Sequence, residues 1–187
     1  MNTPENLLNH PIAGVRAASA YRMNNIELSI LSQDECPTVR GAVASSTTNP
    51  EILALLAHDE NKYVRIAVAR NPHSDGDTLH FLSKEKSISI KFCVALAHNA
   101  HGETLDYLYH SGEECIINAL SMNPSTPQDT LWLIAENYCG NYNIIKSISN
   151  NTNAPDELLV WMHVHCNGPI PQVVSEIMGE GNDEQLM

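Results

Sequence analysis

The chain has 187 residues, 43% of them hydrophobic, and a formal net charge of −12. Nine of its ten basic residues lie at or before Lys91, whereas residues 92–187 hold twelve acids and one lysine. That half disfavours contact with nucleic-acid phosphates and favours a cationic partner. An acidic surface that only maintains solubility is the alternative interpretation. No run of 18 apolar residues indicates a membrane span, and the N-terminus shows no signal peptide, so we expect a cytoplasmic protein.

In chain order, "TPENLL" at residues 3–8 predicts a half-unit, and a repeat follows it. Each repeat opens with a β-branched anchor, and the residues three and five positions after it are small. The anchors are 24 to 28 residues apart: Val15, Val39, Val64, Ile90, Ile116 and Ile144. Small residues at two positions would allow a short helix to approach its neighbour closely.

A second helical element follows each anchor segment. Its first leucine and the apolar residue three positions on share one helical face. The pairs begin at Leu28, Leu53, Leu79, Leu105, Leu131 and Leu159. Two helical segments in a period of 24–28 residues predict an all-α solenoid of about six two-helix repeats over residues 1–166. For residues 167–187 we expect a capping helix and a polar acidic tail.

Turn residues predict where some of these helices begin. "TNPEIL" places Asn49 as N-cap and Pro50 in the first turn, and "STPQDTL" suggests Thr126 as N-cap before Pro127. The five cysteines are scattered and odd in number. Reduced thiols are therefore expected, and a disulfide framework is not.

The segments "VRIAVARNPHSDGDTL" and "MNPSTPQDTLWLIAEN" resemble the leucine-rich repeat variant, a relative of HEAT-like α-solenoids. The resemblance covers about residues 3–165. It implies a right-handed superhelix in which each unit pairs an α-helix with a shorter, often 3₁₀-like helix. The family's founding type carries an N-terminal iron–sulfur module with clustered cysteines, which this sequence does not match. The resemblance therefore implies no cofactor and no catalytic residue.

The residue after each of the first four anchors is basic: Arg16, Arg40, Arg65 and Lys91. One interpretation is a cationic stripe that binds an anionic ligand. The other, which we favour, is a charge ladder with the acids that precede the next anchor. Those acids are Asp34, Glu35, Asp59, Glu60 and Glu85.

Six of the ten aromatic residues follow residue 100, within the acidic half. Tyr and Trp anchor protein interfaces, and acids around them would steer a basic partner. Their alternative role is to fill gaps in the longer repeats. The predicted partner-binding residues are Glu103, Asp106, Tyr107, Tyr109, Glu113, Glu114, Asp129, Trp132, Glu136, Tyr138 and Tyr142.

No spacing of nucleophile and base suggests an enzyme, and "HVHC" at residues 163–166 lacks a second cluster that could complete a metal site. We therefore predict non-catalytic binding of a basic protein, with no cofactor or metal. One version is an immunity protein that neutralises a nuclease toxin. The alternatives are a nucleic-acid-binding solenoid and an iron–sulfur or thiol-redox protein.

Overall fold

The computed structural model describes residues 4–166, which form thirteen α-helices and no strand. The prediction of an all-α repeat protein is confirmed. The helices are α1 (Pro4–Leu8), α2 (Ala13–Ala20), α3 (Asn25–Leu31), α4 (Pro37–Ser46), α5 (Pro50–Leu56), α6 (Lys62–Arg70), α7 (Gly76–Ser83), α8 (Ile88–Leu96), α9 (Gly102–Tyr109), α10 (Glu114–Met122), α11 (Gln128–Asn137), α12 (Tyr142–Ser149) and α13 (Asp156–His165).

Helices of two kinds alternate along the chain. The even-numbered helices from α2 to α12 carry the anchors, and the odd-numbered helices from α3 to α13 carry the leucine pairs. The described residues fall into two compact units, and the division between them lies between residues 101 and 102. In the first unit α2 packs on α4, α4 on α6, and α6 on α8. In the second unit α10 packs on α12, and α9 on α11. Equivalent helices of successive repeats therefore stack, as a solenoid requires.

The predicted core columns are buried. Every leucine-pair residue is at most 7% exposed, and the small residues five positions after the first five anchors are at most 1% exposed. The small column three positions after the anchor differs: Ala119 is buried, but Ala18 is exposed. The two small columns lie about 160° apart around a helix, so they flank the buried stripe on opposite sides. The small residues five positions after the anchor are buried in all five of those repeats, whereas the small residues three positions after it are not.

Two local expectations need correction. Both helices of each repeat are α-helical in residues 4–166, so the 3₁₀-like element implied by the family resemblance is wrong here. Asn49 caps α5 as predicted, by accepting a hydrogen bond from the Glu51 N–H. Thr126 is not an N-cap, because its buried hydroxyl instead donates to the Leu120 carbonyl at 2.7 Å. Helix α11 consequently begins one residue later than expected, after Pro127.

Among the described helices, none combines the length and the apolar character that crossing a bilayer requires. The capping helix and acidic tail predicted for residues 167–187 lie outside the described residues.

Candidate functional site

The predicted partner-binding residues all belong to the second unit, but they occupy different parts of it. Six of them lie at the end of α9 or α11, in the short connection that follows, or at the start of the next helix. We call this set the connection edge. It comprises Tyr109, Glu113, Glu114, Glu136, Tyr138 and Tyr142.

Hydrogen bonds join successive repeats along the connection edge. The Asn137 side chain, at the end of α11, donates to the Tyr109 hydroxyl at 3.0 Å. The Asn141 side chain, which caps α12, donates to the Glu114 carboxylate at 2.9 Å. Tyr142 follows directly and is 55% exposed. The edge thus presents aromatic and carboxylate groups side by side, on backbone that is fixed by helix ends.

Three predicted acids lie away from this edge. Glu103 and Asp129 are in the first turns of α9 and α11, and Asp106 accepts a hydrogen bond from the Thr130 hydroxyl at 3.0 Å. The first turns are the ends of these helices opposite to the connection edge. Tyr107 lies between them on α9 and is 45% exposed. The structure therefore does not gather all of the predicted residues into one patch.

Trp132 belongs to a separate aromatic cluster that the sequence did not reveal. Its ring meets the Trp161 ring edge-on, with centroids 5.7 Å apart, and Trp161 stacks on His165 at 4.7 Å. The three side chains come from α11 and α13, which the repeat places in the same helix class. Trp132 and Trp161 are half-buried, so a substantial part of their ring area is used in packing within the unit.

The described part of the second unit, residues 102–166, is strongly negative. Residues 102–166 contain eight acids and one lysine, and seven of those acids are exposed. Within this described segment no carboxylate forms an ion pair with a lysine or arginine. Seven exposed carboxylates without cations give a surface potential that attracts a basic molecule.

The first unit handles its charges differently, and the charge-ladder interpretation is confirmed there. Each of three arginines donates to a carboxylate of the following repeat, with a shortest distance of 2.6 Å in every case. The pairs are Arg16–Asp34, Arg40–Asp59 and Arg65–Glu85. The same guanidinium groups also donate to backbone carbonyls that precede their own helices, those of His10, Asp34 and Asp59. These arginines connect successive loops. Three of the four cations that the competing interpretation would use to bind an anionic ligand are therefore already paired with carboxylates.

The ladder shifts the acidity of its carboxylates. The hydrogen bonds from Arg16 hold the pKa of Asp34 below its ordinary value. For Asp59, burial acts to raise the pKa, but the hydrogen bonds from Arg40 and from the Asn61 backbone outweigh it and lower the pKa. Both carboxylates therefore stay ionised at neutral pH and keep their arginines paired.

The expectation of reduced cysteines is wrong for one pair. Cys139, in the connection after α11, is disulfide-bonded to Cys166, directly after α13, with their Cα atoms 5.1 Å apart. Their 27-residue separation is close to one repeat period, so equivalent regions of successive repeats bring the two thiols together. Cys36, Cys93 and Cys115 are free.

Within residues 4–166, no group of three or more His, Cys, Asp or Glu side chains is arranged to hold a metal ion. His165, from the "HVHC" segment, instead stacks on Trp161, and its Nδ1 is 2.9 Å from the Trp161 carbonyl oxygen.

No protein-family model matches this chain, and no curated protein matches it. Among solved structures, the chain is similar to one described as a leucine-rich repeat variant with a novel repetitive protein structural motif. The two share 22% sequence identity with a TM-score of 0.63, over 95% of this chain and 71% of the other. The chain therefore has the repeat fold of a leucine-rich repeat variant.

Proposed function

We propose that this protein is a non-catalytic interaction solenoid that binds a basic protein through its second unit. The observation that carries the proposal is the set of seven exposed carboxylates in residues 102–166, which no cation neutralises within that segment. A stack of repeats holds such groups at fixed spacings, so a rigid partner can be matched over several layers.

The connection edge is the part of this surface best suited to contact. Tyr142 is 55% exposed and follows the residue that binds the Glu114 carboxylate. Glu136 and Tyr138 flank Asn137, which is held by Tyr109. Aromatic rings supply the apolar area of an interface, and adjacent carboxylates accelerate the encounter with a cationic partner.

A basic nuclease domain is the specific partner class that we propose, with this protein acting as its inhibitor or immunity protein. Nucleases that bind phosphates require cationic clefts, and an acidic rigid surface would occupy such a cleft in place of the nucleic acid. The alternative of direct nucleic-acid binding is less well supported. The three arginines that it would use are already engaged by carboxylates at 2.6 Å.

The test measures binding of purified basic nuclease domains, with an acidic domain of similar size as a control, at 50, 150 and 500 mM salt. We expect affinity to fall at least tenfold across this range, because screening weakens exposed charge pairs. Binding that does not respond to salt would contradict the charge-led proposal, and binding of duplex DNA in place of the nuclease domains would favour the alternative.

A pair of charge reversals locates the surface. Glu114 and Glu51 are both exposed acids in the first turn of a helix, but Glu114 also accepts a hydrogen bond from Asn141. Glu114→Gln, which keeps an acceptor for Asn141 and removes the charge, separates the loss of that bond from the loss of charge. Glu114→Lys should weaken binding several-fold at 50 mM salt, whereas Glu51→Lys, in the first unit, should leave it nearly unchanged. Equal effects of the two substitutions would show that only net charge matters and that the connection edge has no special role.

A further inference from the structure

A second ladder, built of polar side chains, runs along the ends of the anchor helices. Thr47, Asn71, Asn123 and Asn151 each follow the last turn of such a helix. In each case the side-chain oxygen accepts a hydrogen bond from the backbone N–H two residues later, at 2.8 to 3.1 Å. The side chain thereby fixes the turn that leads into the next helix.

Two of these asparagines also reach back to the preceding repeat. The Asn71 amide donates to the carbonyls of Ala44 and Thr47, at 2.7 and 2.9 Å. The Asn151 amide does the same with Ser121 and Asn123, at 2.9 and 3.0 Å. One buried carboxamide thus joins two carbonyls of the preceding repeat to a backbone N–H of its own repeat.

Ala97 occupies the equivalent position after α8. Its backbone angles, φ −75° and ψ 120°, match those of Asn71 (φ −74°, ψ 124°) and Asn123 (φ −78°, ψ 120°). The backbone at Ala97 therefore has the same conformation as at these asparagines, but its side chain carries no carboxamide. The groups that an asparagine here would join are, by equivalence, the carbonyls of Ala69 and Asn71 and the Asn99 backbone N–H.

A cavity of about 390 Å³ lies at this position, and Ala69, Ala97 and Asn99 are among the residues that line it. Its apolar wall is formed by Leu79, Phe92, Cys93 and Leu96. Arg70 and His98, both exposed, also line it, together with Asn71 and Pro72. The Asn99 side chain donates to the adjacent Pro72 carbonyl, which is not one of the two carbonyls that the asparagines join in the other repeats.

We propose that this cavity binds a small molecule that carries a primary carboxamide on an apolar body. The carboxamide N–H groups would donate to the carbonyls of Ala69 and Asn71, and its oxygen would accept from the Asn99 backbone N–H, as the asparagine side chains do in the other repeats. The apolar wall accommodates a ring or a short aliphatic chain, and the volume is in the range of small-ligand pockets. The proposal is independent of the protein-binding function proposed for the second unit.

The test compares three probes by NMR titration of the full chain: benzamide, N,N-dimethylbenzamide and benzoate. Benzamide should shift the amide resonances of Asn99 and its neighbours and bind at least tenfold more tightly than the other two. The dimethyl compound lacks the N–H donors, and benzoate tests whether Arg70 attracts any anion. Equal binding of either control compound would overturn the proposal.

The substitution Ala97→Asn supplies the missing side chain from within the chain. It should abolish benzamide binding and raise the melting temperature by about 2–4 °C, since one additional hydrogen-bonded group is satisfied. Ala18→Asn, on the exposed face of α2, is the matched control and should change neither. Unchanged benzamide binding in Ala97→Asn would refute the assignment. Tighter binding of N-acetylglutamine methylamide than of benzamide would show that a protein side chain, rather than a small molecule, is the occupant.

Discussion

Replacement of Arg40 by methionine tests how much the arginine ladder contributes to stability. The Arg40 guanidinium donates to both oxygens of Asp59, at 2.6 and 2.9 Å, and to the Asp34 carbonyl at 2.9 Å. The Asp59 side chain is only 6% exposed, so methionine would leave a nearly buried carboxylate without its cation. Methionine keeps the apolar stem of the side chain, which limits the loss of packing.

Breaking a buried ion pair by removing one partner typically costs about 3–5 kcal/mol. The lower end of this range applies to Arg40→Met. Asp59 keeps its hydrogen bond from the Asn61 backbone at 2.8 Å, and Glu60, which also pairs with Arg40, is exposed and stays solvated when the arginine is removed. We therefore expect Arg40→Met to lower the free energy of unfolding by about 3 kcal/mol in urea denaturation.

The control is Arg22→Met, since Arg22 is exposed and its loss should stay within about 0.5 kcal/mol. The double variant Arg40→Met/Asp59→Asn should recover part of the loss, because it removes the unpaired charge. A loss below about 1 kcal/mol for Arg40→Met would refute the reasoning, as that is the contribution of an ordinary exposed pair.

Three further predictions follow from other parts of the fold. The pKa of Asp34 in the folded protein lies below its ordinary value of 3.8. The ionised Asp34 therefore stabilises the fold fully above pH 3.8, and this stabilisation is lost as the pH falls through the folded pKa. Asp34→Asn should weaken the dependence of the melting temperature on pH between pH 5 and pH 2. Ala44→Leu, at a position with no exposure, should cost about 1–3 kcal/mol in urea denaturation by overpacking the helix stack, whereas Ala18→Leu on the exposed face should cost little. Cys166→Ser should lower stability by about 3 kcal/mol, because the disulfide closes a 27-residue separation, and a reducing agent should then have no further effect on its melting temperature.

The stacked core was predictable from the sequence because its residues repeat. Anchors, leucine pairs and the small residues five positions after the anchors recur at 24–28 residues, and their burial against neighbouring repeats follows from that periodicity. The small column three positions after the anchor recurs equally well, yet Ala18 in it is exposed. The arginine ladder was predictable for the same reason. Arg16, Arg40 and Arg65 occur in register, and each repeat supplies an acid shortly before the next anchor.

The candidate surface was predictable only in part. Its charge can be counted in the sequence, but the division of the acids between two ends of the helices depends on where each helix begins. The Trp132–Trp161 contact depends on which side of α11 and α13 faces the adjacent repeat, and the two rings are at different positions relative to the leucine pair. The Cys139–Cys166 bond cannot be predicted from cysteine spacing along the chain, because the two residues meet only through the stacking of repeats 27 residues apart.

Departures from a repeat column carry information that the columns themselves do not. Ile117 and Ile145 replace the ladder arginines and are buried, so the second unit loses its inter-repeat cations at the same positions where the first unit uses them. The ladder acids are absent there as well, since Ser111, Gly112, Cys139 and Gly140 stand five and four residues before Ile116 and Ile144. The exposed carboxylates of residues 102–166 therefore lie outside the ladder columns, and it is on these that the proposed binding of a basic protein rests. Ala97 is a departure of the opposite kind, because an apolar residue replaces a buried asparagine and the space and backbone groups that it served remain. In both cases a side chain that stabilises other repeats is absent. The chemical group that is absent, a cation in the first case and a carboxamide in the second, is also the group that each proposed binding partner carries.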